Sequence, residues 1–438
     1  MRCLTTIFLI CLAFTAGAAG EHLAAIVHKG SASVHSQPEL DSPTVATLKH
    51  DTAVEIIRQQ GLWYEITEAA GVTGFVRVND VRPKARGTRE TDAAHVLLTS
   101  HSGSGRVTET AGVRGLEESE LRSASFDGTQ LQEMENNRVS DRQAERYARD
   151  HAWTATRVPW QGEAPARHDD TSSSEKRSRF AVARGALSSV GHGLLGRVMG
   201  AAEDTAPKSE QEVRDEELAL GPLIAGRVLG ARHLWSDEQA QHRVNVIGRW
   251  LASQTSRPDL PWTFGVIDSP EFNAYAAPGG YILVTRGLYQ LVGSDAELAA
   301  VLAHEITHVV QRDHYEVIRK QQMLSHAKDL VSSEIRTGGG LAGSLARDYV
   351  ERNGAAILLT SLDRSAEYRA DEIGEVYLAR GGMNPLALVS ILQRMLASGS
   401  QSGRLAELYK THPSLDDRLD HLEQANSGPL HAYLDRAL

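Results

Sequence analysis

Between Ala24 and Pro83 apolar positions come in short stretches separated by turn residues: Ser33–His35, Val45–Leu48, Val54–Ile57, Trp63–Ile66 and Gly74–Val78. Stretches of this length and spacing, rich in β-branched and aromatic residues, predict short strands closing into a small barrel. From 85 to 207 the periodicity fades into Gly, Ser, Thr, Arg and Glu, with Thr171–Glu175 as an evident linker. Within it Glu117–Leu121 and Ser140–His151 read as short helices, and the small-residue stretch Gly185–Ala202 reads as a surface-packed helix rather than a membrane contact. After Lys208 the period becomes helical. Glu212–Leu234 and Asp237–Ser253 predict amphipathic helices, the second capped by Ser236. Trp262–Ile267 alternates as a strand, and a second extended pair, Asn273–Ala277 and Tyr281–Thr285, is joined through Pro278-Gly279-Gly280. Ser294 and Glu297 form a capping box opening a helix through Leu298, Val301, Leu302, Ile306, Val309 and Val310.

Composition narrows the classes. The 438 residues are 41% hydrophobic and 23% charged, near globular averages, which excludes wholesale disorder, collagen-like chains and multi-span membrane proteins. Lys plus Arg number 46 against 56 Asp plus Glu, a net charge of −10, so no whole-chain field favours nucleic acid. The basic start Met1-Arg2, the nearly uninterrupted apolar run Cys3–Ala16 and the small residues Ala16–Gly20 predict a secretory signal peptide over 1–20, and hence an exported, periplasmic protein. An uncleaved anchor is the alternative; lipid attachment at Cys11 is disfavoured by Ile10 before it. No later apolar run reaches the length of a membrane span, so no transmembrane segment is expected after cleavage. Both cysteines, Cys3 and Cys11, leave with that segment, so a metal site in the mature chain must be built from histidine and carboxylate.

The chemistry sits in His304-Glu305-Ile306-Thr307-His308. Helical positions four apart lie about 40° apart on one face, so both imidazoles can reach one ion, as zinc requires. Glu305 then stands beside the metal without binding it, placed to act as general base and acid. An open catalytic zinc site needs a third protein ligand. His314 stands at the spacing of HExxHxxGxxH, but Gln311 occupies the place of the helix-ending glycine. With the helix running on, His314 points about 120° away from His308. It is therefore read as a surface histidine, or as one that only backs a ligand. The other candidate is Glu367 in Ser365–Asp371, where Glu367 and Asp371 share a helical face. Glu367 binds the metal in this reading, and Asp371 accepts the outer ring N–H of a ligand histidine, His304.

HExxH followed by ExxxD resembles the gluzincins. The surrounding text, Arg257–Pro261, Asn273–Tyr281, Thr411-His412-Pro413-Ser414 and Arg418, is similar to the HtpX-like and CAAX-prenyl-protease-like zinc metallopeptidases, including the exported bacterial assembly-factor proteases. The likeness covers about residues 210–425. It implies a mainly helical zincin (α+β) domain holding one Zn(2+), with a small sheet whose edge, Asn273, Ala274, Tyr275 and Ala276, aligns a protein or peptide substrate. It also implies that His412 lies near the zinc, as fourth ligand or oxyanion stabiliser, and that Arg418 supports the site. The membrane helices of the integral-membrane relatives are missing, which argues against prenylated substrates. Gly61–Ile66 followed by Gly74-Phe75-Val76 resembles the bacterial SH3-like domain, which implies an envelope or cell-wall partner. Trp63 and Tyr64 are candidates for its ligand face as much as for its core.

The expected organisation is multidomain: signal peptide 1–20, all-β SH3-like domain 21–84, partly helical linker 85–207 and metallopeptidase domain 208–438. The expected function is endopeptidase action on misfolded or unassembled envelope proteins. Rival readings are a peptidoglycan-binding or amide-hydrolysing enzyme, and an assembly factor with a latent zinc site.

Overall fold

The structure is a computed structural model that describes residues 22–84, 118–160, 208–321, 354–359, 362–399, 405, 408–425 and 430–435. The signal-peptide reading, Thr171–Glu175 and Gly185–Ala202 lie outside these residues. The chain divides into two compact units, one ending at Lys84 and one beginning at Ala85.

The first unit is all β. Its strands are β1 (Leu23–Val27), β2 (Ser31–His35), β3 (Thr44–Lys49), β4 (Ala53–Gln60), β5 (Trp63–Glu68), β6 (Thr73–Arg77) and β7 (Val81–Pro83). They pair in the order β3-β2-β6-β5-β4-β1-β7, every pair antiparallel. The five strands expected from the pattern are present, and β1 and β7 add to them; Leu23–Val27 is apolar throughout and β7 spans only three residues, so neither shows an alternation. Burial alternates along β2 and β4, so Ala32, Val34, Val54 and Ile56 face one core with Ile66 and Val76. Trp63 and Tyr64 are both buried. His35 meets the Trp63 ring edge-on at 5.2 Å and the Arg77 guanidinium lies 5.7 Å from its centroid, so this indole belongs to the core.

The second unit is mainly helical. Its helices are α1 (Glu118–Ser123), α2 (Gly128–Asn136), α3 (Asp141–Asp150), α4 (Glu210–Ala231), α5 (Glu238–Ala252), α6 (Arg286–Leu291), α7 (Asp295–Gln311), α8 (Arg364–Arg380), α9 (Leu386–Gly399), α10 (Leu408–Thr411) and α11 (Leu415–Ala425). A sheet of β8 (Thr263–Ile267), β10 (Tyr281–Thr285) and β9 (Ala274–Ala277) runs in that order, β10 parallel to β8 and antiparallel to β9. Residues 118–160, within the partly helical linker expected over 85–207, are helical in part and pack into this unit. Leu121, Leu131 and Met134 are buried in one core with Ile224, Val228, Tyr281 and Leu283. Arg138 adds bonds from its Nε to Thr263 Oγ1 (2.5 Å) and from its Nη2 to the Tyr281 hydroxyl (3.1 Å).

Helix starts follow their caps. Ser209 and Glu212 form a capping box on α4, and α5 is capped by Asp237, one residue after the Ser236 expected. On α7, Ser294 Oγ accepts the Glu297 N–H at 3.1 Å, but the Glu297 carboxylate turns to the Gly293 N–H, Ser390 and Arg394, so only half of the expected box forms. Nearly every residue of α7 is buried, packed against α5, α8, α9 and the sheet. A helix enclosed on all sides forces its polar side chains to find partners inside the protein, which shapes the site.

Candidate metal centre

α7 carries His304 and His308 one turn apart, and α8 brings Glu367 against them. One ligand atom from each of His304, His308, Glu367 and His412 lies within 4.8 Å of all the others. The two Nε2 atoms are 3.1 Å apart, and Glu367 lies 3.6 Å from the first and 3.7 Å from the second. α8 is capped by Asp363, whose carboxylate accepts the Ala366 N–H at 2.8 Å. Glu367, Asp371 and Gly374 follow at helical spacing on the face turned to α7. His412 comes from the turn before α11, where Ser414 Oγ accepts the Asp417 N–H, and its Nδ1 bonds to Glu367 Oε2.

The outer ring nitrogens are also engaged. His304 Nδ1 is 2.9 Å from Asp371 Oδ1, and Asp371 in turn receives Arg418 Nε at 2.8 Å and Nη2 at 2.5 Å. His308 Nδ1 is 2.8 Å from Asp313 Oδ2, and Arg369 Nη2 donates to Asp313 Oδ1 at 2.7 Å. Burial opposes the Asp371 charge, yet Arg418 and His304 bring its pKa down to about 2. Burial likewise opposes ionised Glu367, but His412, His304 and His308 hold it well below the usual carboxylate range. Burial and Arg418 disfavour a charged His304, whereas Asp371 and Glu367 push it up to about 9.

These observations test whether a cation fits. With both Nδ1 atoms facing carboxylates, two imidazole lone pairs converge at Nε2, a repulsive meeting unless a proton or cation sits between them. Glu367 Oε1 is buried with no hydrogen-bond partner, the condition expected of a metal-directed oxygen. Two imidazoles and a carboxylate, with no cysteine among the described residues, match the donor chemistry of catalytic zinc.

Glu305 is buried at 4% exposure on α7 beside His304. Asn273, Ala274, Tyr275 and Ala276 are buried; the last three lie on β9, a lateral strand of the sheet, and Tyr275 shares a core with Ile357 and Leu358. His314 takes the second of its two expected placements, behind a ligand, but by a different route. α7 does not run on: it ends at Gln311, and Arg312 takes the left-handed conformation, φ 63° and ψ 27°, before a second helical stretch at 313–321. His314 is consequently buried rather than on the surface, its ring 6.0 Å from that of His308, and burial together with His308 lowers its pKa to about 4. It stays outside the four converging residues.

A left-handed non-glycine residue costs about 1–2 kcal/mol. Arg312 is held there by carboxylates: its Nε donates to Glu217 at 3.0 Å and its Nη1 and Nη2 to Glu210 at 3.1 and 2.7 Å. Fully buried Glu217 also receives Arg257 through two bonds at 3.0 and 2.6 Å, and Arg257 Nη1 donates to the Val309 carbonyl near the end of α7. Asp313, Arg369 and this network were not singled out from sequence. The available signal was an Asp five residues after His308.

Comparison with known proteins is consistent with this geometry. The model of peptidase family M48 matches residues 238–426, and that of the bacterial SH3 domain matches 30–81. The chain is 29% identical over 222 residues to the beta-barrel assembly-enhancing protease of Yersinia pestis, covering 48% of this chain and 44% of that protein. It is 31% identical over 195 residues to the mitochondrial metalloendopeptidase OMA1 of Schizosaccharomyces pombe (44% and 56%). To the protease HtpX homolog of Desulfotalea psychrophila it is 29% identical over 244 residues (47% and 82%). The chain thus spans about half the length of the assembly-enhancing proteases it matches. With HExxH and ExxxD on two packed helices, and seven antiparallel strands ahead of them, the chain carries a peptidase family M48 domain together with a bacterial SH3 domain.

Proposed function

We propose that this chain is an exported zinc-dependent endopeptidase that cleaves peptide bonds in misfolded or unassembled envelope proteins. The observation that carries the reading is the convergence of His304, His308 and Glu367, with Glu305 beside them on a fully enclosed helix. His304, His308 and Glu367 would hold the zinc, whose contribution when bound is to polarise a carbonyl and acidify water. Glu305 takes the proton of the attacking water and passes it to the leaving amine. Asp371, neutralised by Arg418, fixes the His304 ring. The segment Asn273–Ala276 offers the substrate backbone an extended partner.

Export rests on the pattern of residues 1–20, and no helix among the described residues is long and apolar enough to cross a membrane. The first unit is assigned an envelope or cell-wall partner. Unassembled substrates accord with the Yersinia pestis relative being a beta-barrel assembly-enhancing protease.

The test is Glu305→Gln assayed on casein beside the parent, with and without chelator. The variant should keep its zinc and lose about 10²- to 10⁴-fold in cleavage, while chelator stops the parent. Undiminished turnover by Glu305→Gln overturns the reading. Release of murein fragments in place of casein peptides turns the assignment to the cell wall.

A further inference from the structure

We propose that Asp313 is a positioning residue for His308, held to that task by Arg369 and by the left-handed turn at Arg312; the inference rests on the metallopeptidase reading above. A carboxylate only accepts, so Asp313 Oδ2 at 2.8 Å from His308 Nδ1 places the ring proton on that nitrogen and leaves the Nε2 lone pair facing His304 and Glu367. Asp371 does the same for His304. Each carboxylate is in turn gripped by a guanidinium, Arg369 for Asp313 and Arg418 for Asp371. The two ligand histidines are thus served by two separate His–Asp–Arg relays.

The second relay exists because the helix breaks. In a continued helix residue 313 would stand about 140° around the axis from 308, out of reach of its ring. The turn at Arg312 swings the chain back, and Glu217 and Glu210 anchor that turn on α4. Asp313 is therefore set by a turn and a distant ion network, whereas Asp371 is set by a helix face. Its side chain is almost wholly buried, so water does not substitute for it at Nδ1.

The test uses the full chain with Asp313→Ala, Glu305→Gln and Glu367→Ala. Zinc dissociation constants are measured by competition with a chromogenic chelator, d–d absorption on the cobalt(II)-substituted proteins, and melting temperature on the metal-free forms. Asp313→Ala should bind zinc about 10- to 100-fold more weakly and shift the cobalt bands, while its metal-free melting temperature stays near the parent's. Parent-like zinc affinity and cobalt spectrum in Asp313→Ala, with zinc lost from Glu367→Ala, overturn the proposal and leave the metallopeptidase reading standing. A parent chain that takes up no zinc overturns both. Should Asp313→Ala fail to fold, Arg369→Met carries the test, since it leaves Asp313 in place but unclamped. Several-fold weaker zinc binding then supports the proposal, and parent affinity overturns it.

Discussion

Gly374 of α8 lies against the backbone of His304: a β-carbon built on the glycine falls 3.4 Å from the His304 nitrogen and 3.6 Å from the Ala303 carbonyl carbon. This contact lets α8 approach α7 closely enough for Asp371, three residues earlier, to reach the His304 ring.

A methyl group at 374 meets ordinary van der Waals contact, so Gly374→Ala is expected to keep the zinc and to gain about 1 kcal/mol from helix propensity. Gly374→Leu must push the helices apart. Its expected outcome is loss of zinc along with a lowered melting temperature, measured on the same preparations. A leucine variant with full zinc content would show that the close approach is not what sets the site.

The third ligand separates by substitution of two residues. Glu367→Ala removes the buried carboxylate that faces both Nε2 atoms, and its zinc content should fall to background. His314→Ala removes a ring that backs His308 from 6.0 Å, and its zinc content should stay at one per chain. Elemental analysis of the two proteins decides, and zinc lost only from the His314 variant would move the third ligand there.

How far the sequence shows all this depends on the kind of signal each element carries. HExxH, Glu367 and Asp371 are legible because helical spacing alone puts them on shared faces, and the alternating strands of the first unit are legible for the equivalent reason at period two. The packing of 118–160 is not. α3 buries only Ala144 and Ala148, and α2 only Leu131 and Met134, so neither shows a strong apolar stripe even though both belong to the folded unit. The stop after Gln311 is illegible for another reason. Helix ends are read from glycine, and here an arginine adopts the left-handed conformation because carboxylates far away in sequence, Glu210 and Glu217, hold it. From that unforeseen turn follow the burial of His314 and the reach of Asp313.

Asp363 gives α8 a pH-dependent start. Its carboxylate accepts the Ser365 hydroxyl at 2.5 Å and the Ala366 N–H at 2.8 Å, bonds that hold its pKa below the usual aspartate range. A depressed carboxylate stabilises the fold above its unfolded pKa, and that contribution is lost as pH falls through the folded value. Asp363→Ala should cost about 1 kcal/mol at pH 7, the usual size for an N-cap, and the gap in melting temperature from the parent should close as the pH is taken below about 4. A gap that persists unchanged in acid would assign the loss to something other than the charged cap.

His412 stands where it can either close the site or serve the reaction. Its Nδ1 bonds to Glu367 Oε2, and its ligand atoms belong to the same group of four as those of His304 and His308. As a fourth ligand it would occupy the position an open zinc site keeps for water, and cleavage would wait on its departure. As an oxyanion partner it would instead donate to the charge developing on the substrate carbonyl. The two roles move the rate in opposite directions. A closing role predicts that His412→Ala keeps its zinc and cleaves casein faster than the parent, because the inhibitory ligand has gone while Glu305 and the three remaining ligands stay in place. An oxyanion role predicts a fall of about 10²- to 10³-fold in kcat with zinc retained. Since Glu367 Oε2 loses its partner in either case, zinc affinity is measured alongside the rate, so that a weakened site is not mistaken for a slowed reaction. We expect the closed form, because a ligand atom of His412 lies within 4.8 Å of those of His304, His308 and Glu367, inside the reach of a single ion.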